Sequence, residues 1–146
     1  NALSAGAFLI RKYSKLNLVL GKEHFQYVPS GLLKGAKRFC INEGVSLAIY
    51  DNLDESQITP GQAYLVFSDS DLLRFVKYTR KMKWKPGKDI GLISYDDTPM
   101  KEILLNGITV ISTDFARMGK TAGEIISEKR IVQIANPGKL IKRSTL

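Results

Sequence analysis

The sequence predicts an α/β domain built on a parallel sheet with helices on both faces. Two observations carry the prediction. Short apolar runs alternate with longer stretches of helical periodicity, at a spacing that implies strand–helix–strand crossovers. Two of those runs also end abruptly in polar and acidic residues, Phe67-Ser68-Asp69 and Tyr95-Asp96-Asp97. In open sheets of this class, ligands are met at the carboxyl ends of strands.

The elements follow in order. Residues 3–13 read as a helix, with Leu3, Ala7 and Ile10 on one side, and residues 16–20 as a strand. Residues 29–43 read as a helix capped by Ser30, with Leu32, Leu33, Ala36, Phe39 and Cys40 on one face and Gly44 as its stop. Strands are expected at 45–50 and 63–67. A helix at 69–82 groups Leu72, Leu73 and Val76. The run 90–95 is short and apolar enough to be a buried strand. Residues 100–105 read as a short helix and 108–112 as a strand. Residues 114–128 carry Phe115, Met118, Gly119, Ala122, Ile125 and Ile126 on one side, a strongly amphipathic pattern. Asn136-Pro137-Gly138 turns the chain, and 140–146 reads as extended. Crossovers are expected to be right-handed. Pro60-Gly61 and Pro86-Gly87 mark turns between elements, not domain borders.

Composition sets limits. A chain of 146 residues with 44% hydrophobic and 25% charged residues suits one ordinary globular domain. No apolar stretch approaches the roughly 20 residues that span a bilayer, so no membrane role is expected. The start lacks the pattern of a secretory leader. Cys40 is the only cysteine, which excludes an internal disulfide and fits a reducing, cytoplasmic setting. On the inner face of its helix it reads as an inert core thiol. The lone His24 cannot make a multi-ligand metal site and reads as a loop residue. No glycine-rich phosphate loop is present, and no cofactor or metal is expected. The net charge of +8 would suit a polyanion, but the basic residues are scattered along the chain and no nucleic-acid-binding motif is visible. A solvated basic surface is the default reading.

The acidic strand ends admit several readings. Asp69 and Asp97 are placed to cap helices. Asp96 points instead to ligand contact, because Asp97-Thr98-Pro99 can supply the cap by itself. A phosphatase reading exists, since Asp69-Ser70-Asp71 after an apolar strand is similar to the first motif of haloacid-dehalogenase-like enzymes, and paired carboxylates can hold Mg²⁺. Against it, Leu72-Leu73 replaces the threonine-bearing continuation, and the two acidic motifs lie too close together. A free-standing flavodoxin-like interaction module is the other alternative.

Taken together, Gly35-Ala36-Lys37-Arg38-Phe39, Leu65-Val66-Phe67-Ser68-Asp69, the run Gly87-Lys88-Asp89-Ile90 to Tyr95-Asp96-Asp97-Thr98, Ile108-Thr109-Val110-Ile111 with Asp114-Phe115 and Met118-Gly119, and the ending Leu140-Ile141-Lys142-Arg143-Ser144-Thr145-Leu146 resemble the effector-binding part of the lactose-repressor (LacI/GalR) family of transcriptional regulators. The resemblance covers nearly all of the chain and is most specific in its second half. It implies a non-enzymatic sensor with two lobes of periplasmic-binding-protein type I, a Rossmann-like architecture. Residues 1–113 would form the C-terminal lobe, 114–130 the helix that completes the other lobe, and 131–146 the return segment. The DNA-binding head and most of the first lobe would lie outside this sequence, and the head could be of GntR-like class. Asp96 and Ser68 would line the effector cleft, with Asp69, Thr113 and Phe115 beside them. The effector would be a sugar or another metabolite: Leu32 stands where the family often has a sugar-gripping arginine, and Ser68 where it has asparagine. The protein would act as a homodimer, with residues 72–76 and 103–105 as the candidate face. The apolar side of the helix at 114–128 would dock on a second copy, exchange between chains, or fold back on its own lobe, because several wet apolar side chains, each worth roughly 1.5–3 kcal/mol on burial, seek cover.

Overall fold

The computed structural model describes residues 2–22, 28, 30–136 and 138–146; His24 and the proline of the 136–138 turn lie outside the described residues. Strands β1 (Lys15–Val19), β2 (Ser46–Tyr50), β3 (Ala63–Val66), β4 (Gly91–Tyr95), β5 (Thr109–Thr113) and β6 (Gly138–Ile141) form one sheet in the order β2-β1-β3-β4-β5-β6. The first five are parallel, and β6 runs antiparallel to β5. Since β2 and β3 lie on opposite sides of β1, the strand order reverses there, and this is where such sheets open a crevice at their carboxyl ends.

Alternation along the strands builds two cores. Leu16, Leu18, Leu65 and Ile93 face α1 (Ala2–Ala5), α2 (Ala7–Ile10) and α3 (Ser30–Glu43), which supply Leu3, Ile10 and Phe39. Tyr64, Val66, Leu92 and Val110 face the other way, onto Leu72, Phe75 and Val76 of α4 (Asp69–Lys81). Helices therefore cover both faces, as predicted.

Four details differ from the sequence reading. The helix expected at 3–13 is broken into α1 and α2 at Gly6, where a β-carbon would collide with the Leu140 side chain. The approach of β6, not local propensity, decides the break. Ser30 is the first helical residue of α3. The helix expected at 100–105 becomes α5 (Pro99–Ile103) followed by a 3₁₀ turn at Leu104–Asn106. Leu105 and Asn106 there adopt left-handed φ angles of 56° and 58°, and Ser144 Oγ donates to the carbonyls of Leu105 and Gly107 at 2.6 and 2.8 Å. Finally, the terminal stretch is a strand only to Ile141.

Beyond that point the tail enters the sheet. Paired residues of β4 and β5 begin at Ile93 and Thr109. Just before them Thr145 fills the gap: its Oγ1 donates to the Leu92 carbonyl (2.8 Å) and accepts from the Thr109 N–H (2.9 Å), and its carbonyl accepts from the Leu92 N–H (2.8 Å). The Ser144 carbonyl rests against Gly87, which has a φ of +86°.

The amphipathic helix α6 (Phe115–Ser127) does form, with Asp114 as its cap, but none of its residues is buried. Met118, Ala122 and Ile125 share a groove with Val132 and Ile134 of the following segment, and Asn136 Nδ2 donates to the Asp114 carbonyl at 3.0 Å. Of the three outcomes expected for this helix, folding back on its own sheet is not the one observed.

Candidate functional site

The carboxyl ends of β3, β4 and β5 deliver their polar residues to one edge. Asp96 lies at its centre. It follows β4 in a left-handed conformation, with a φ of +57°, a region that Asp tolerates better than most side chains. Its N–H donates to the Ile111 carbonyl at 2.8 Å, which fixes the residue against β5. The Thr113 N–H donates to its carboxylate, while Oδ1 is enclosed without a partner. Desolvation by burial raises the Asp96 pKa above the ordinary carboxylate range, partly opposed by the Thr113 hydrogen bond and the charge of Lys101.

Lys101 is the residue that holds this corner, and sequence reasoning passed it over. Only 5% exposed, it sends Nζ to the carbonyls of Tyr95 (2.9 Å) and Asp96 (3.1 Å), and it pairs with Asp69 Oδ1 at 3.2 Å. Three acceptors thus satisfy its three donors. The lysine sits inward on a five-residue helix, too short to show periodicity, so nothing in the sequence marked it as buried.

Tyr95 and Phe67 line the same edge, with ring centroids 5.1 Å apart. Burial, and then the Asp96 charge, raise the Tyr95 pKa, and the Thr113 side chain bonds to the phenol. Thr113 is therefore tied to both Asp96 and Tyr95. Phe115 starts α6 nearby in sequence and is 49% exposed.

The other expected residues are placed differently. Ser68 is 4% exposed and caps α4: its hydroxyl donates to Asp71 Oδ2 (2.7 Å) and accepts from the Asp71 N–H (3.1 Å). The helix cap expected of Asp69 is thus made by Ser68, and Asp69 is a rim carboxylate that pairs with Lys101. Asp97 does not cap either. Thr98 caps α5, and Asp97 receives a two-pronged contact from Arg143. Asp71 is buried, with one oxygen taken by Ser68 and the other accepting from the Leu53 N–H at 3.1 Å. Neither oxygen is free for a metal or a phosphoryl group, which removes the support for a phosphatase based on Asp69 and Asp71. Among the described residues no cluster of His, Cys, Asp and Glu could hold a metal ion. The Cys40 thiol is buried, and desolvation raises its pKa, as an inert core thiol requires.

Two grooves, of about 460 and 210 Å³, run along the flank formed by α4 and α5, and neither is lined by Asp96. Leu72 and Val76 belong to the core, while Leu73, Met100 and Ile103 are exposed beside these grooves. Among the described residues no helix is long and apolar enough to cross a membrane.

Comparison with known structures agrees with this architecture. The lac repressor dimer bound to operator and the anti-inducer ONPF superposes with a TM-score of 0.74 at 21% identity, over 99% of this chain and 49% of that one. The Escherichia coli transcriptional repressor AscG gives 0.71 at 15% identity, over 99% and 60%. A putative LacI-family repressor from Corynebacterium glutamicum gives 0.68 at 16% identity, over 99% and 64%. These likenesses establish the fold, and the chain spans about half to under two thirds of the length of each. No curated protein sequence matches. The periplasmic binding protein-like domain matches residues 18–145, nearly the whole sequence, and to that family the chain belongs.

Proposed function

We propose that this chain is the effector-sensing half of a ligand-responsive transcriptional regulator. It binds and does no chemistry. A small-molecule effector, a sugar or another metabolite, would be gripped between the edge at Asp96 and a second lobe. Residues 1–113 supply one lobe, 114–130 the helix that enters the other, and 131–146 the return. DNA contact belongs to a separate N-terminal head, the working form is a cytoplasmic homodimer, and effector binding shifts it between states of different DNA affinity.

The observation that carries this reading is the Asp96 carboxylate. It is preset by Lys101 and Thr113 at the end of a central strand, with one enclosed oxygen lacking a donor. Leaving such an oxygen unpaired is costly, so an effector hydroxyl or N–H would relieve it once a shift of the Asp96 side chain turns it towards the opening between the lobes. Thr113, Phe115 and Asp69 form the surround, and Ser68 acts through the cap that positions Asp69 and Asp71. The exposed Leu73, Met100 and Ile103 are the dimer contacts.

The test is amide and side-chain NMR of the 146-residue chain with a panel of monosaccharides, nucleosides and amino acids. Shift changes centred on Asp96, Thr113 and Phe115, lost in Asp96→Asn, support the reading. Changes confined to the α4–α5 grooves reject it, and tight binding by these 146 residues alone favours a self-contained module over half a cleft.

A further inference from the structure

The basic residues are scattered in sequence, yet folding collects a group of them at one pole, the amino-terminal end of the parallel strands. Lys12 Nζ donates to the Gly87 carbonyl at 2.9 Å, which lays it beside the turn that precedes β4. That turn is stiff. The Lys85 N–H donates to Asp89 Oδ2 (2.7 Å), the Asp89 and Lys88 N–H groups donate to the Lys85 carbonyl (2.8 and 3.1 Å), and the Trp84 N–H donates to the Thr79 carbonyl (2.9 Å). It presents Lys83, Lys85 and Lys88 to solvent. The tail brings Lys142 to the same end, its Nζ 5.5 Å from the Phe8 ring centroid.

The nearby carboxylates are engaged. Glu43 pairs with Arg11, and Asp89 holds the Lys85 amide. Among the described residues no carboxylate pairs with Lys83, Lys85 or Lys88. The opposite edge carries Asp51, Asp69, Asp96 and Asp114, of which Asp51 and Asp69 are paired with Lys22 and Lys101. Lys83, Lys85 and Lys88 therefore place positive charge at this pole without a carboxylate partner among the described residues.

We propose that this pole is a docking surface for the phosphodiester backbone of nucleic acid, read by charge and not by sequence. Protein partners need aromatic or apolar anchors at the centre of an interface. Here Trp84 is packed edge-on against Tyr78, with ring centroids 5.9 Å apart, and Phe8, although 67% exposed, carries the Lys142 ammonium over its ring. Backbone phosphates need only cations held at fixed positions. The cations are lysines, compact point charges without the forked geometry that reads base edges. The proposal is independent of the effector reading.

The test is titration of the 146-residue chain with a labelled short DNA duplex of arbitrary sequence at several salt concentrations. Binding should weaken linearly in log–log form, with a slope of about −2.7 to −3.6 for three or four phosphates neutralised. A duplex of unrelated sequence should bind within about twofold, since backbone contacts carry no sequence information. Lys83→Gln, Lys85→Gln and Lys88→Gln together should cut affinity about ten- to a hundredfold at low salt and lower the slope by about 2–3. Lys34→Gln, Lys37→Gln and Arg38→Gln, which remove the same charge from exposed positions on α3, should stay within about threefold of the parent if the pole is the site. Absence of binding at low salt overturns the proposal. Equal loss in the α3 variant also overturns it, by showing diffuse attraction, and tighter binding of polyglutamate than of duplex does so by pointing to an acidic protein.

Discussion

The Arg143 guanidinium closes on the Asp97 carboxylate as a fork, with Nη1 donating to Oδ1 at 2.8 Å and Nη2 to Oδ2 at 2.7 Å. Nη1 also donates to the Ile108 carbonyl at 3.0 Å, and the Arg143 N–H donates to Thr109 Oγ1 at 3.0 Å. The tail therefore locks the loop that carries Asp96. Both side chains are mostly covered, 17% and 21% exposed, so the pair is worth more than a surface ion pair. Arg143→Met should cost about 2–4 kcal/mol, somewhat under the full penalty of breaking a buried pair. Urea denaturation measures it.

The same pair sets an acid limit. The Arg143 hydrogen bond holds the Asp97 pKa below its ordinary value. Stability from this pair is fully present above the unfolded carboxylate pKa of about 4 and is lost as the pH falls through the lower folded value. Arg143→Met should flatten that acid slope. A variant that keeps the parental urea midpoint against pH from neutral to acid would contradict the assignment.

Asp96 works in the opposite sense. Burial raises its pKa, so its favourable contribution is present below about pH 4 and is lost as the pH rises through its higher folded value. Asp96→Asn keeps the shape and tolerates the left-handed backbone. At neutral pH, removing the desolvated charge should stabilise the fold by about 1 kcal/mol, while removing effector response. The stability gain should shrink in acid, as calorimetry across pH will show.

Lys101→Met retains the length of the side chain and removes its donors. The carbonyls of Tyr95 and Asp96 then lose a charged partner, at a cost of about 2–3 kcal/mol. The Thr113 and Asp96 amide resonances should shift most, since the turn they share loses its anchor. Unchanged resonances at the sheet edge, with loss of stability alone, would assign Lys101 a purely structural part.

Gly87→Ala meets two obstacles at once, a positive φ and the Ser144 carbonyl against the added carbon. Because backbone lies on both sides, destabilisation of about 2–4 kcal/mol is expected. Hydrogen exchange at the Leu92 amide, which donates to Thr145, should accelerate more than exchange at Leu65.

The legibility of this fold varied with the range of the forces involved. β1 to β5, α3, α4 and α6 were all visible as local patterns, because strand alternation and helical periodicity act over a few residues. Gly6, Lys101 and Arg143 were not. The break at Gly6 depends on Leu140, and the Arg143 fork depends on Asp97. Such pairings lie far apart in the chain and leave no local trace. Asp96 directly follows the end of β4, where the strand pattern placed it, although the residues that hold it there left no sign in the sequence. Ser68 illustrates the opposite error: a polar residue after a strand was read as facing a cleft, whereas its hydroxyl is committed to Asp71.

The wedge formed by Thr145 has a consequence for biosynthesis. Leu92 finds its partner 53 residues downstream, so the near end of the seam between the fourth and fifth strands stays unpaired until Thr145 has been made and has cleared the ribosome. Five strands can pair while the nascent chain grows, since β4 and β5 meet directly from Ile93 and Thr109 onward, but this corner closes only afterwards. The interval also sets the earliest moment at which Arg143 can fork onto Asp97 and fix the loop that carries Asp96.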